Sequence, residues 1–129
     1  MTGRAGACEG VVMIVEDDPD SREILTELVA YEGFRPVVAS NGREALDELE
    51  AAKCAGLPCV ILLDMMMPVM DGREFRAAQQ EDPLLGEIPV VVLSAHADAI
   101  TTARAMRARA VLKKPVDFDA IMVLLRELC

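Results

Sequence analysis

Acidic side chains close two of the aliphatic runs in this sequence. Val11–Val15 is followed by Glu16, Asp17 and Asp18, and Cys59–Leu63 by Asp64. Two further runs end in groups that handle anions. Val90–Leu93 leads into Ser94, and Ala110–Leu112 into Lys113, Lys114 and Pro115. Carboxylates brought together repel, and each has its pKa raised unless a cation compensates. A hard divalent ion with oxygen ligands is the natural partner. Magnesium fits a few carboxylates and keeps several waters. The Ser94 hydroxyl and the Lys114 ammonium add donors for phosphoryl oxygens. Such a set suits phosphoryl transfer, which needs positioning, charge neutralisation and an acceptor oxygen in line. A carboxylate can be that acceptor, and Asp64 is the candidate.

These groups meet only if the chain brings its runs together. Val11–Val15, Pro36–Ala39, Cys59–Leu63, Val90–Leu93 and Ala110–Leu112 do not alternate with polar residues. That pattern predicts strands buried on both faces. Helical periodicity fills the gaps. A first helix opens at Asp18-Pro19, with Ile24, Leu25, Leu28 and Val29 as its stripe. A second opens at Asn41 with Glu44 three residues on, a capping-box spacing, and carries Ala45, Leu46, Leu49 and Ala52. A third opens at Asp71 with Glu74 and buries Phe75 and Ala78. An alanine-rich fourth covers about 96–108. The last starts near Asp117, with Phe118, Ile121, Leu125 and Leu128 on one face. Strict alternation of strand and helix predicts a parallel sheet between two helical layers. In such sheets ligands bind beyond the carboxyl ends of the strands, the edge that receives Glu16, Asp17, Asp64, Ser94 and Lys114.

The chain has 129 residues, the size of one domain. The expected division is a flexible tail over 1–10 and a single domain over 11–129. A net charge of −9 argues against direct contact with nucleic acid or an anionic membrane. No apolar run approaches a membrane span, and residues 1–10 lack the apolar core of a signal peptide, so a cytoplasmic protein is expected. Cysteines stand at 8, 54, 59 and 129 with no CxxC pair, and the one histidine, His96, is remote from them in sequence. Zinc is not expected, and reduced thiols are.

The segments Ile14-Val15-Glu16-Asp17-Asp18-Pro19, Leu62-Leu63-Asp64-Met65-Met66-Met67-Pro68-Val69-Met70-Asp71-Gly72, Leu93-Ser94-Ala95 and Lys114-Pro115 resemble the receiver domain of bacterial two-component response regulators. The resemblance spans nearly the whole chain, in order and at the family's spacing. It implies an α/β fold: a single doubly wound, five-stranded parallel sheet, flavodoxin-like (βα)5, in strand order 2-1-3-4-5. It implies Asp64 as phospho-acceptor, with Glu16, Asp17, Asp64 and the Met66 backbone carbonyl holding Mg2+. Ser94, Ala95 and Lys114 take the phosphate-binding and switch positions. Met66 and His96 take the positions that modulate phosphate loss. Lys114-Pro115 is expected to be cis. Lys113, one residue earlier, should point to the opposite face. The implied partners are a sensor histidine kinase or histidine phosphotransfer protein as donor, and a downstream protein reached through the fourth helix, fifth strand and fifth helix. A phosphorylation-dependent dimer is a further implied assembly. Such a domain catalyses only its own phosphorylation and dephosphorylation.

Two positions depart from the family pattern. Val111 stands where a switch tyrosine or phenylalanine is common. Arg107-Ala108-Arg109 replaces a glycine turn before the fifth strand. Other features stay open at this level. Met65, Met66, Met67 and Met70 fit core filling or a soft partner surface. His96 fits a solvated neighbour of the site or a base. Between Ala99 and Val116 there are five basic residues and no acid, a docking surface or a solvated face. Among rival functions, a small Mg-dependent aspartyl phosphatase needs a second aspartate where Met66 stands. A flavodoxin-like carrier needs a phosphate-cradling loop where the acidic residues lie. A phosphorylation-independent binding module needs none of the site.

Overall fold

All five aliphatic runs pair in parallel. The computed structural model describes residues 10–96 and 99–129. Its strands are β1 (Val11–Val15), β2 (Arg35–Ala39), β3 (Val60–Asp64), β4 (Val90–Ser94) and β5 (Ala110–Lys113). They form one sheet in the order β2-β1-β3-β4-β5, as expected. The helices are α1 (Pro19–Tyr31), α2 (Gly42–Ala52), α3 (Gly72–Glu81), α4 (Ala99–Ala105) and α5 (Phe118–Leu128), with a short 3-10 turn at Leu85–Glu87. The expected tail over 1–10 lies, except for Gly10, outside the described residues.

The period-two geometry of a strand sends neighbouring side chains to opposite faces. Met13, Val15, Ile61, Leu63, Val90 and Val92 pack on one face with Ala45, Leu49, Phe75, Ala103 and Met106 of the α2, α3 and α4 side. Val12, Ile14, Val60, Leu62, Val91 and Leu93 pack on the other, against Leu25 and Val29 of α1 and Ile121, Met122 and Leu125 of α5. Two cores on one sheet explain why the central strands carry no polar alternation.

Local chemistry fixes the helix ends. Asp18 accepts from the Ser21 N–H at 2.9 Å and caps α1. Asp71 and Glu74 form the full capping box of α3. At α2 only half of the expected box forms. Asn41 caps Glu44 N–H, while the Glu44 carboxylate turns to Ser40 N–H and Oγ. The glycine turn missing before β5 is replaced without glycine. Arg107 adopts φ 57°, with Arg107 N–H donating to Arg104 O and Ala108 N–H to Ala103 O, each at 3.0 Å. These are the paired bonds that end a helix on a left-handed residue.

Five expectations need correction. The buried stripe of α3 is Gly72, Phe75, Arg76 and Gln79, and Ala78 is only half-buried. Phe118 is exposed rather than packed with Ile121, and Ile24 is exposed rather than part of the α1 stripe. The fourth helix is shorter than 96–108, and residues 97–98 of that span lie outside the described residues. The thiols are not all reduced. Cys59, just before β3, is joined to Cys129, which ends α5, in a disulfide with Cα atoms 5.4 Å apart, while Cys54 is free and exposed.

Candidate functional site

The sheet order reverses between β1 and β3, and an open parallel sheet gathers its ligands at that crevice. Register does the fine placement. Val15 pairs with Leu63 across β1 and β3, so Glu16 and Asp64 follow side by side. Asp64 pairs with Leu93 on β4, and Ser94 with Lys113 on β5. Lys114 comes one residue later, where the strand's alternation turns it inward. Lys113 is exposed.

Glu16, Asp17 and Asp64 offer carboxylate oxygens that all lie within 4.8 Å of one another. Glu16 is 1% exposed and Asp64 6%. Among the described residues one cation answers them: Lys114 Nζ donates to Glu16 Oε1 at 2.9 Å and stands 3.4 Å from Asp64 Oδ1. It does not fully compensate. Burial, followed by the adjacent Glu16, lifts the Asp64 pKa to about 7, with Lys114 pulling the other way. Burial also opposes the charge on Lys114, but the hydrogen bond to Glu16 and the Asp64 and Glu16 charges outweigh it and hold its pKa above the ordinary value. Hard oxygen donors with excess negative charge are the donor set of a magnesium site, so the residues present fit that ion.

The surrounding loops hold this arrangement. Gly72 N–H donates to Met65 O, and a Cβ on Gly72 would stand 2.9 Å from Asp64 O and 3.0 Å from Met65 Cα. Only glycine lets α3 start this close to the Asp64 backbone. Val69 takes φ 69° in the same loop while 81% exposed. Ser94 is buried at 4% exposure, and its Oγ accepts from His96 N–H at 3.1 Å. Ala95 and His96 are exposed, and so is Met66, whose N–H points at Asp64 Oδ1 from 3.4 Å. The other loop methionines divide: Met65 is buried, while Met67 and Met70 pack on the α2–α4 core from its edge. The Lys114-Pro115 bond is cis, as expected.

Two features escaped the sequence. Arg22 reaches back from α1, its Nη1 donating to Glu16 O at 3.0 Å, and so braces the acidic loop. Its place one turn after the Asp18 cap was the available signal. Beside the site, an open cavity of about 470 Å³ is lined by Ile24, Leu25, Pro115, Val116 and Phe118, with Glu16 and Lys114 on its wall. The basic stretch after Ala99 is no continuous patch. Arg109 pairs with Glu127, Lys114 is committed to the site, and Arg107 borders a groove with Asp82 and Glu87.

Residues 12–126 match the family model of the response regulator receiver domain. The chain belongs to that family. This receiver domain is 34% identical over 120 residues to an uncharacterized 14.6 kDa protein of Leptolyngbya boryana, covering 92% of this chain and 88% of that one. It is 35% identical to the transcriptional regulator NtrC of Salmonella typhimurium over 89% of its own length, but spans only 24% of that protein. Among solved structures, the phosphorylated cyanobacterial phytochrome response regulator RcpA superposes with a TM-score of 0.76 at 28% identity, over 92% of this chain and 89% of that one. The receiver domain is thus a phospho-acceptor module of two-component signalling, not a conventional enzyme. Magnesium at the acidic site and exchange with histidine kinases or phosphotransfer proteins are general to the family. No helix among the described residues is long and apolar enough to cross a membrane.

Proposed function

We propose that Asp64 takes a phosphoryl group from the phosphohistidine of a sensor kinase or phosphotransfer protein, with Mg2+ held by Glu16, Asp17, Asp64 and the Met66 backbone carbonyl. The observation that carries this reading is the convergence of three carboxylates with Lys114 at the crevice between β1 and β3. An Asp64 carboxylate oxygen attacks phosphorus, the P–N bond of the donor breaks, and the imidazole leaves. The bound magnesium ion supplies charge neutralisation for the carboxylates and phosphoryl oxygens. The chain's own groups supply the rest. Lys114 leaves Glu16 for the new phosphoryl charge, and Ser94 and Ala95 close on it from the end of β4. Hydrolysis reverses the mark when water attacks phosphorus. The exposed, apolar Met66 limits that water, and His96 flanks its approach from the β4 side.

The donor approaches over the apolar cavity beside Lys114, where Ile24 and Phe118 are open to a partner. Output passes to a downstream protein through the face of α4, β5 and α5, within a cytoplasmic receiver unit spanning 11–129. Val111 packs on the α2–α4 core and has no ring to swing, so coupling runs through Ser94 and the loop that follows it.

Incubation with magnesium and acetyl phosphate, read by intact mass, tests the proposal. Wild type should gain one phosphoryl group, and Asp64→Asn none. No adduct in wild type, with no beryllofluoride-induced spectral change, would leave the binding-module reading in its place.

A further inference from the structure

The Cys59–Cys129 bond lies at the opposite pole of the sheet from Asp64. Cys59 immediately precedes β3, the strand whose last residue is Asp64, and its N–H donates to Val11 O at 2.9 Å. Cys129 caps α5, its N–H donating to Leu125 O at 2.8 Å. Both cysteines are half-buried against the α1–α5 core. A cavity of about 820 Å³ opens over Cys59 and Leu128, walled by Pro58, Pro83, Leu84 and Pro89. Small thiols can therefore reach Cys59. The two thiols are held together by the fold, although 70 residues separate them. The Cα separation of 5.4 Å falls within the range a disulfide spans without backbone movement.

We propose that Cys59 and Cys129 form a reversible thiol–disulfide modification site, which gives this receiver a redox input distinct from phosphorylation. The oxidant is a low-molecular-weight disulfide of the glutathione class. The thiolate of one cysteine attacks it and releases one glutathione thiolate. The thiolate of the other attacks the resulting mixed disulfide, closes the Cys59–Cys129 bond and releases the second. The protein pair loses two electrons, glutathione disulfide gains two, and the two protein thiol protons go to the released thiolates. Oxidation ties the end of α5 to the base of β3. Reduction frees the last turn of α5, while its first turn stays beside Lys114-Pro115. Cross-linking across so long a loop also constrains the unfolded chain.

The test uses the full chain carrying Cys8→Ser and Cys54→Ser, so that only the proposed pair remains. The protein is equilibrated in graded ratios of reduced to oxidised glutathione, quenched with a maleimide and weighed intact. The expected result is a single transition from a species with two maleimides to one with none, without a persistent glutathione adduct. The oxidised form should melt several degrees higher, and hydrogen exchange in the last turn of α5 should slow on oxidation. Peptide mapping of oxidised wild type should join Cys59 to Cys129. Two maleimides at every ratio, a persistent mixed disulfide, a disulfide-linked dimer, or a Cys54 linkage in wild type would each overturn the proposal. So would unchanged α5 exchange.

Discussion

Lys114 stands closer to Glu16 than to Asp64, donating to Glu16 Oε1 at 2.9 Å with Asp64 Oδ1 at 3.4 Å. In the metal-free domain this ammonium is the counter-ion of a crowded carboxylate site. Lys114→Gln removes that charge and leaves the buried Glu16 without its ion pair. The unpaired charge should cost about 1–3 kcal/mol, discounted for the partial exposure of the lysine. Magnesium should restore more stability to this variant than to wild type. Thermal melts with and without magnesium check both effects.

Asp64 gives a pH signature. Its carboxyl is held at about 7 in the folded domain, mainly by burial and next by Glu16, while an unfolded aspartate titrates near ~4. Across that window the unfolded state carries fewer protons than the native state, so stability falls as pH rises. The contribution is fully present below the unfolded value and lost as pH passes the folded one. Asp64→Asn removes the slope. Without metal, the variant should gain on wild type between about pH 4 and about pH 8, by of order 2 kcal/mol. Denaturant titrations across that range check the sign.

Arg76 predicts a structural cost far from the site. It is 6% exposed and has no acidic hydrogen-bond or ion-pair partner among the described residues. Nε donates to Met106 O at 2.9 Å, Nη1 to Gln79 Oε1 at 2.8 Å and Nη2 to Arg107 O at 3.1 Å. The cation thus caps the C-terminal end of α4. Arg76→Ala strands those acceptors and opens a cavity. It should cost about 2–4 kcal/mol and speed hydrogen exchange at 99–108. An undisturbed α4 would contradict this account.

Val69 predicts the opposite sign. A β-branched residue at φ 69° is strained, and its exposure means little packing is lost on replacement. Val69→Asn should stabilise the domain by about 1 kcal/mol, read by denaturant titration.

Much of this molecule was legible in local signals. Lone aliphatic runs gave the strands, and the Asp18, Asn41, Asp71 and Asp117 caps gave four helix starts. The site followed because each of its residues sits at a strand end, and a parallel sheet collects strand ends. What stayed hidden depended on contacts between distant segments. Arg76 and Gln79 are buried in α3 although their polar side chains carry none of the apolar signal that ordinarily marks a buried stripe. Yet 72, 75, 76 and 79 have the i, i+3, i+4, i+7 spacing of one face, and a polar pair can occupy it when backbone carbonyls of other elements supply acceptors. The Cys59–Cys129 contact arises only once α5 is laid along the sheet. The basic stretch read as a unit because its acidic partners, Glu16, Asp64 and Glu127, lie elsewhere in the chain.

Asp64, and no other carboxylate of the cluster, is proposed to carry the phosphoryl group. Borohydride reduces an aspartyl phosphate to homoserine, so the mark can be fixed in place and read by peptide mass. After phosphorylation with acetyl phosphate and magnesium, homoserine should appear at position 64 alone. Reduction at Asp17, or an unreduced peptide from a domain whose intact mass shows the adduct, would contradict it.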